Sequence, residues 1–156
     1  MLRGLNSVFT FVDADNKFDA FNQIIQKCTV FDLLEDKESF RKKVERRERT
    51  ESTGVGHGVA IAHGKIDHLE KCHIALGFSK NGIIFDQRYP DPVHFIFVIA
   101  SSRTRQAEYL HAVSAILSWV HDDDFRHEFM KYEFDKGKAR EFLKILASQD
   151  FRCYQR

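Results

Sequence analysis

The sequence of 156 residues lacks several features, and each absence excludes a class of protein. No apolar run approaches the ~20 residues that a helix needs to cross a bilayer. The net charge is only +1, so the chain has no general attraction to nucleic acid or to a membrane surface. The first residues lead into no apolar signal core. These observations together predict a cytoplasmic protein.

Cysteine is scarce, and its three copies are scattered at Cys28, Cys72 and Cys153. An odd number of widely spaced cysteines does not suggest a disulfide framework, so we expect a reducing compartment. The chain also has no low-complexity linker and no internal repeat. Its length suits one domain with a real core, and we expect a single domain over residues 1–156.

Several catalytic motifs are missing as well. There is no HExxH, no paired CxxC, and no Lys-Ser/Thr after the glycines of residues 54–64, which excludes a P-loop. An apolar strand follows those glycines where a dinucleotide fingerprint needs a helix. Serine and cysteine nucleophiles have no elbow motif. A metal site remains a minor alternative at the densest run of ligand types, but a strand would point its last two members to opposite faces; the run is His57, His63, His68, Cys72 and His73.

The sequence does contain strong strand signals in its middle. A glycine-rich turn at residues 52–58 leads into an apolar run that ends at His63. Asn81-Gly82 is a turn signal that predicts a hairpin. An almost wholly apolar run is typical of a central strand with both faces covered. The predicted strands are 7–12, the run up to 63, 72–78, a return arm at 83–85 and 93–100, with a turn bracketed by Pro90 and Pro92.

Helical periodicity flanks this middle on both sides. Residues 16–28 and a segment from about Asp36 precede it, and oxygens at Asp13, Asp15 and Asn16 are available as caps. Helices at 104–120, 122–130 and 135–147 follow it. On the first of these three we expect an inner face of Leu110, Val113, Ser114, Leu117 and Val120. The fold class is therefore α/β, with helices covering a mixed sheet on both sides.

Three residues of this pattern could carry chemistry together. His63 ends a strand, Arg47 lies in line with the apolar stripe of Phe40 and Val44, and His111 borders small residues on its helix. A neutral imidazole can accept a phosphoryl group, provided that a cation and a hydrogen-bond donor hold the phosphoryl oxygens. For each residue alone, a structural histidine or an arginine that snorkels past the core is the ordinary alternative.

The run RExxxSTGVGHGVAIAHG over residues 47–64 closely resembles the motif of mannitol/fructose-type (type 2) enzyme IIA domains of the bacterial phosphotransferase system. The resemblance is greatest to the nitrogen-regulatory branch, and it continues through residues 93–100 to the YLHAVS of 109–114. It covers about residues 15–147, which leaves 148–156 as a tail.

The resemblance implies a mixed five-stranded sheet flanked by helices and a role for each residue. His63 matches the histidine that receives phosphate from the phosphocarrier HPr. Arg47 matches an arginine beside that phosphate, and His111 a second active-site histidine. No cofactor or metal is implied. The partners are HPr and then either an enzyme IIB cysteine or a regulatory target. Because no IIB or IIC sequence is fused to it, we expect mainly a regulatory phosphocarrier. The alternatives are sugar transport, or a regulatory binding module without phosphotransfer.

One position departs from the resemblance, because the family usually has proline where this chain has Ala62. Alanine would loosen the approach to His63, but we expect phosphorylation to be retained. The glycines of 54–58 are expected to shape a turn or to bring backbone near the phosphate. We expect His57 to line the entrance or be structural, and His94 to be a hydrogen-bonded core residue. Ser101 and Ser102 end a strand from which their hydroxyls could reach the site.

Overall fold

The structure is a computed structural model, and it describes residues 8–124 and 127. The described elements alternate between helices and strands at the start and become strand-rich in the middle. In chain order they are β1 (Phe9–Val12), α1 (Lys17–Lys27), a 3-10 turn (Thr29–Leu33), α2 (Lys37–Thr50), β2 (Gly54–Gly56), β3 (Val59–Lys65), β4 (His73–Asp86), β5 (Tyr89–Ser101), a second 3-10 turn (Arg103–Arg105) and α3 (Gln106–His121).

The five strands form one mixed sheet in the order β1-β4-β5-β3-β2. β1 pairs with β4 and β3 with β5 in parallel, whereas β4–β5 and β2–β3 are antiparallel. The apolar run of residues 93–100 lies inside β5 at the centre of the sheet. The predicted α/β class and its mixed five-stranded sheet are therefore confirmed.

Alternation along the strands divides the core into two layers, because successive side chains point to opposite faces. In β3, Val59 and Ile61 face α3, while Ala60 and Ala62 face α1 and α2. The α3 layer contains the only tryptophan, Trp119. Residue 63 continues the first series, so the sheet directs His63 toward the α3 side.

The first two helices begin where side-chain caps predict. Asn16 accepts a hydrogen bond from the Asp19 N–H at 2.9 Å, and Asp36 accepts one from Ser39 N–H at 2.9 Å. Each cap satisfies a backbone donor that the first turn leaves free. The predictions of a helix over 16–28 and of another from Asp36 are confirmed.

The predicted hairpin at Asn81-Gly82 is wrong. β4 continues through these residues and pairs with β5 on both sides of a register shift between Phe78 and Ile83. Gly82 has φ +81°, and its N–H donates to Ser79 Oγ at 3.1 Å, so the glycine forms a bulge instead of a chain reversal. The reversal occurs between Asp86 and Tyr89, which places both prolines inside β5.

The face of α3 that packs on the sheet also differs from the prediction. Leu110, predicted to be buried, is 53% exposed, and Ser114 is exposed. Small residues allow the helix to approach the sheet closely, and the buried face consists of Ala112, Ala115, Ile116, Trp119 and Val120. The predicted helices at 122–130 and 135–147 lie largely or wholly outside the described residues.

Candidate functional site

His63 is two residues from the end of β3, in register with Ile99 of β5. β2 pairs only with the start of β3, so in the described part of the chain no strand borders His63 on its other side. The ring is half-buried, and its Nδ1 is fully buried. Any reaction of this ring with an external group must therefore use Nε2.

A cavity of about 520 Å³ opens beside His63. Arg47 from α2 lines this cavity, so the structure brings together the first two residues of the predicted trio. The Arg47 guanidinium is tethered by a hydrogen bond from its NH1 to the Glu51 carbonyl oxygen at 2.7 Å. This bond fixes one edge of the guanidinium within its own helix end and leaves other N–H groups for a ligand.

The surroundings of His63 lower its pKa below the ordinary value of 6.5. Burial is the main cause, since it disfavours the charged ring, and the positive charge of Arg47 is the second. A backbone hydrogen bond with Ile61 acts in the opposite direction and raises the pKa. His63 is therefore neutral near pH 7, which is the form that has a nucleophilic lone pair.

The Tyr109 ring of α3 packs against the His63 ring. The two ring centroids are 5.2 Å apart and the planes are tilted by 54°. Burial raises the pKa of the half-buried Tyr109 phenol, although the positive charge of Arg47 acts in the opposite direction. The phenol is therefore protonated at neutral pH and available as a hydrogen-bond donor.

His111 is the third residue of the predicted trio. It is exposed on α3, two residues beyond Tyr109, and two residues correspond to roughly 200° around a helix. Neither His111 nor Tyr109 lines the cavity, but the Tyr109 ring contacts that of His63. The predicted role of His111 stays a prediction, whereas Tyr109 is a site residue that sequence reasoning missed. The available signal was the YLHAVS run, in which Tyr109 lies next to Leu110, the residue predicted to be buried.

Gly64 explains how α2 comes so close to the strand end. A Cβ at this position would lie 3.1 Å from the Phe40 ring, 3.2 Å from Val44 Cγ2 and 3.3 Å from Lys43 Cβ. These contacts are tighter than most Cβ contacts, so a larger residue here would require side chains of α2 to shift by a few tenths of an ångström.

Glu48 organises the segment between α2 and β3, and it is a second residue that sequence reasoning missed. Its side chain is fully buried and accepts from Lys17 Nζ at 2.9 Å, from Thr53 N–H at 3.0 Å and from the Thr53 hydroxyl. Thr53 in turn accepts a hydrogen bond from Ile61 N–H at 3.0 Å. A buried carboxylate therefore positions the strand two residues before His63.

The glycine-rich run lies away from His63, in a second cleft of about 330 Å³ that Gly54, Gly56 and Gly58 line. Gly56 and Gly58 have φ of +89° and +78°, so they are turn glycines, as one of the two interpretations expected. Between them, the exposed His57 lies with its ring centroid 6.2 Å from that of His121. The glycines do not line the His63 cavity.

The remaining candidates do not line the His63 cavity. His94 Nδ1 is 2.8 Å from the Ser79 carbonyl oxygen, as expected of a hydrogen-bonded core histidine. Ser101 and Ser102 are buried, and Ser102 Oγ lies 2.9 Å from Thr104 Oγ1. Across residues 8–124 and 127, no three His, Cys, Asp or Glu side chains are grouped to hold a metal ion. None of the helices described is both long and apolar enough to cross a membrane.

The fold and the site together define an α/β protein with a neutral histidine at a strand end beside an arginine. Comparison with known families identifies the class further. The chain belongs to the EIIA 2 family of the phosphoenolpyruvate-dependent sugar phosphotransferase system, which it matches over residues 2–148. The resemblance drawn from the motif is confirmed.

Relatives in sequence come from both branches of this family. The chain is 30% identical over 115 residues to the fructose-specific EIIABC component of Bacillus subtilis (strain 168), covering 72% of this chain and 18% of the relative. It is 33% identical over 79 residues to a nitrogen regulatory protein of Bradyrhizobium diazoefficiens, covering 51% of this chain and 52% of the relative. The chain thus spans less than a fifth of one relative and about half of the other.

Solved structures agree on the fold. The nitrogen regulatory protein IIA-Ntr of Neisseria meningitidis superimposes with a TM-score of 0.76 at 20% identity, covering 88% of this chain and 93% of that one. Identity at this level supports the architecture alone, and it confirms the sheet and helix arrangement described above.

Proposed function

We propose that this protein is a phosphohistidine carrier that accepts a phosphoryl group from an HPr-type protein on Nε2 of His63. The observation that carries the proposal is a half-buried imidazole with a lowered pKa beside Arg47 at an open cavity. Membership of the EIIA 2 family supports it. No metal or nucleotide takes part.

In the proposed reaction, the Nε2 lone pair attacks phosphorus in line with the donor's N–P bond. A new N–P bond forms as the old one breaks, and the bonding pair returns to the donor's imidazole. Arg47 neutralises charge on the phosphoryl oxygens, and such positioning and electrostatics supply most of the catalysis in phosphoryl transfer. Tyr109, whose protonated phenol lies next to the ring, is the hydrogen-bond donor that we assign in place of the exposed His111.

The test is to expose the protein to phosphorylated HPr-type carrier and to phosphoramidate, a small phosphodonor that needs no docking surface. Wild-type protein should gain acid-labile phosphate from both donors, and His63→Ala from neither. His57→Ala serves as the matched control, since it removes an exposed histidine that does not line the cavity. Equal labelling of wild type and His63→Ala would refute the proposal.

We further propose that the phosphate acts mainly as a regulatory signal. The nitrogen regulatory relative supports this reading, whereas the fructose-specific relative supports transfer to the cysteine of an enzyme IIB. Incubating phosphorylated protein with the enzyme IIB domains of the same genome distinguishes the regulatory role from the transport role. Regulation predicts no loss of label to IIB, together with a target captured only by one phosphorylation state. Rapid transfer to a IIB cysteine would assign the protein to transport instead.

A further inference from the structure

The glycine-rich run lines a cleft that the proposed phosphotransfer does not use. This cleft has a volume of about 330 Å³ and lies between Gly54, Gly56 and Gly58 on one side and residues of the β4–β5 hairpin on the other. It is here called the glycine cleft. It lies at the start of β3, whereas His63 lies near the end of that strand, and it shares no lining residue with the His63 cavity.

The glycine cleft exists because β5 begins well before its neighbour. β5 starts at Tyr89, but β3 pairs with it only from Phe95 onward, so in the described part of the chain no strand of the ladder pairs with this first stretch on that side. Pro90 and Pro92 of the stretch have no N–H, which makes it a poor partner for an added strand. An occupant of the cleft must therefore be held by side chains and not by a backbone ladder.

The charge that lines the glycine cleft is mainly negative. Three carboxylates, those of Glu51, Asp86 and Asp91, face one cation, Arg88. Arg88 is bound to Asp86 by two hydrogen bonds of 3.1 and 2.8 Å. Glu51 and Asp91 are exposed, and across residues 8–124 and 127 neither takes part in a salt bridge. The cleft thus complements a positively charged occupant.

The hairpin side of the glycine cleft also presents a large aromatic surface. Tyr89 is 72% exposed, and the Arg88 guanidinium carbon lies 5.9 Å from its ring centroid. The buried side chains of Phe85 and Val93 line the same cleft. Tyrosine and arginine are enriched where proteins contact each other, and a small cation would neutralise the carboxylates but leave the tyrosine uncovered. The combination favours a protein segment over a free cation.

We propose that the glycine cleft is a docking site for a short basic segment of a partner protein. An arginine or lysine of the segment binds the carboxylates of Glu51 and Asp91, and an apolar neighbour packs on Tyr89. The glycines have no side chains in the way, so the backbone of the segment can approach β2 closely. The volume is at the lower end of the roughly 300–1,000 Å³ that ligand clefts span, which suits a few side chains. This site goes beyond the proposed function, since it needs neither His63 nor a phosphoryl group.

The test measures binding of a fluorescent peptide of alternating arginine and valine to the unphosphorylated full-length protein. Asp91→Lys reverses one charge of the cleft. Gly54→Val fills the cleft without changing charge, because a Cβ there would meet only Ser52 Oγ at 3.5 Å and Phe85 Cβ at 3.9 Å, which are ordinary contacts.

Glu35→Lys is the control of equal charge change. Glu35 is exposed and lies outside the cleft lining. It precedes the N-terminal end of α2, whereas Glu51 follows the C-terminal end, and a helix of 14 residues separates those ends by about 21 Å.

Wild-type protein should bind the arginine peptide saturably, more weakly as ionic strength rises, and should not bind the same peptide with glutamate in place of arginine. Asp91→Lys and Gly54→Val should each weaken binding at least about tenfold, while Glu35→Lys binds as wild type. Urea unfolding followed by Trp119 fluorescence checks that each variant is folded. If Gly54→Val does not fold, Tyr89→Ala takes its place, since it removes only an exposed ring.

Several results would overturn the proposal. They are absence of saturable binding by the wild type, wild-type affinity in a folded Gly54→Val, and equal losses in Asp91→Lys and Glu35→Lys. Spermidine binding that needs Asp91 but not Tyr89 would assign the cleft to a small cation. Self-association in sedimentation that Gly54→Val abolishes would assign it to a second copy of this chain. All binding is measured without phosphate, so an unlabelled His63 would refute the phosphocarrier role and leave this result unaffected.

Discussion

Replacing Glu48 with leucine should damage both the fold and the site, although Glu48 does not touch the cavity. Its carboxylate is fully buried and receives three hydrogen bonds, one of them from the Lys17 ammonium at 2.9 Å. In the variant, Lys17 keeps one hydrogen-bond acceptor among the described residues, the Phe85 carbonyl oxygen at 2.7 Å, together with its contacts to the Phe18 and Phe85 rings, and both Thr53 donors lose their acceptor. Breaking one side of a buried ion pair costs about 3–5 kcal/mol, because the remaining charge has no compensation.

That loss is measurable by urea and thermal unfolding. Trp119 is the only tryptophan and is 5% exposed in the α3 layer, so its fluorescence follows global unfolding and not the local change. For a domain of this size, the expected loss corresponds to a fall in melting temperature of roughly 6–20 °C. Glu38→Gln is the matched control, since it removes a carboxylate from an exposed ion pair of the same helix, and it should leave the unfolding midpoint unchanged.

A double variant tests the mechanism of the loss. Lys17→Met/Glu48→Leu removes both charges and should be more stable than Glu48→Leu alone, since no uncompensated ammonium remains. Both variants should still label more slowly with phosphoramidate at a temperature where they are folded, because Thr53 no longer anchors β3 ahead of His63. A loss below about 1 kcal/mol for Glu48→Leu, or labelling at the wild-type rate, would refute the reasoning.

Three further perturbations address the site directly. Arg47→Met should slow phosphoryl acceptance about 10²–10³-fold. It should also raise the pH at which acceptance is half-maximal toward 6.5. The protonated ring is unreactive, and the variant removes one cause of the lowered His63 pKa. A pH–rate profile that does not move would contradict this. Tyr109→Phe should slow acceptance about 10–100-fold through loss of one hydrogen bond to a charged group, with His111→Ala near wild type, and the reverse ranking would restore His111 as the second site residue. Gly64→Ala should cost about 1–3 kcal/mol in urea unfolding, and an unchanged midpoint would show that α2 can move away without penalty.

The features that the sequence predicted correctly depend on local chemistry. Asn16 and Asp36 each cap the helix that follows them, and a cap needs no distant partner to be recognised. The central position of β5 follows from its nearly unbroken apolar run. His63 was singled out because it ends a predicted strand, and Arg47 because it lies in line with Phe40 and Val44; the motif resemblance links the two, and both line one cavity.

The features that were missed depend on tertiary pairing. Asn81-Gly82 has the chemistry of a hairpin turn, but β5 offers β4 a partner on both sides of it, and the glycine is used as a bulge instead. The buried face of α3 is chosen by close approach to the sheet, which favours Ala112 and Ala115 over the larger Leu110. With Ala112 and Ala115 facing the sheet, Tyr109 lies against His63 and His111 faces solvent. Apolar periodicity alone could not distinguish this orientation of α3 from the predicted one.

The site exists because His63 lies where the two layers of the fold meet at a free edge. Because side chains alternate along β3, the His63 side chain points into the α3 layer, where Tyr109 contacts the ring. Arg47 comes from α2 of the opposite layer, and it lines the same cavity as His63 and lowers the pKa of its ring. Burial and the positive charge of Arg47 both lower the pKa of His63, and together they keep the imidazole in the neutral form that the proposed chemistry requires.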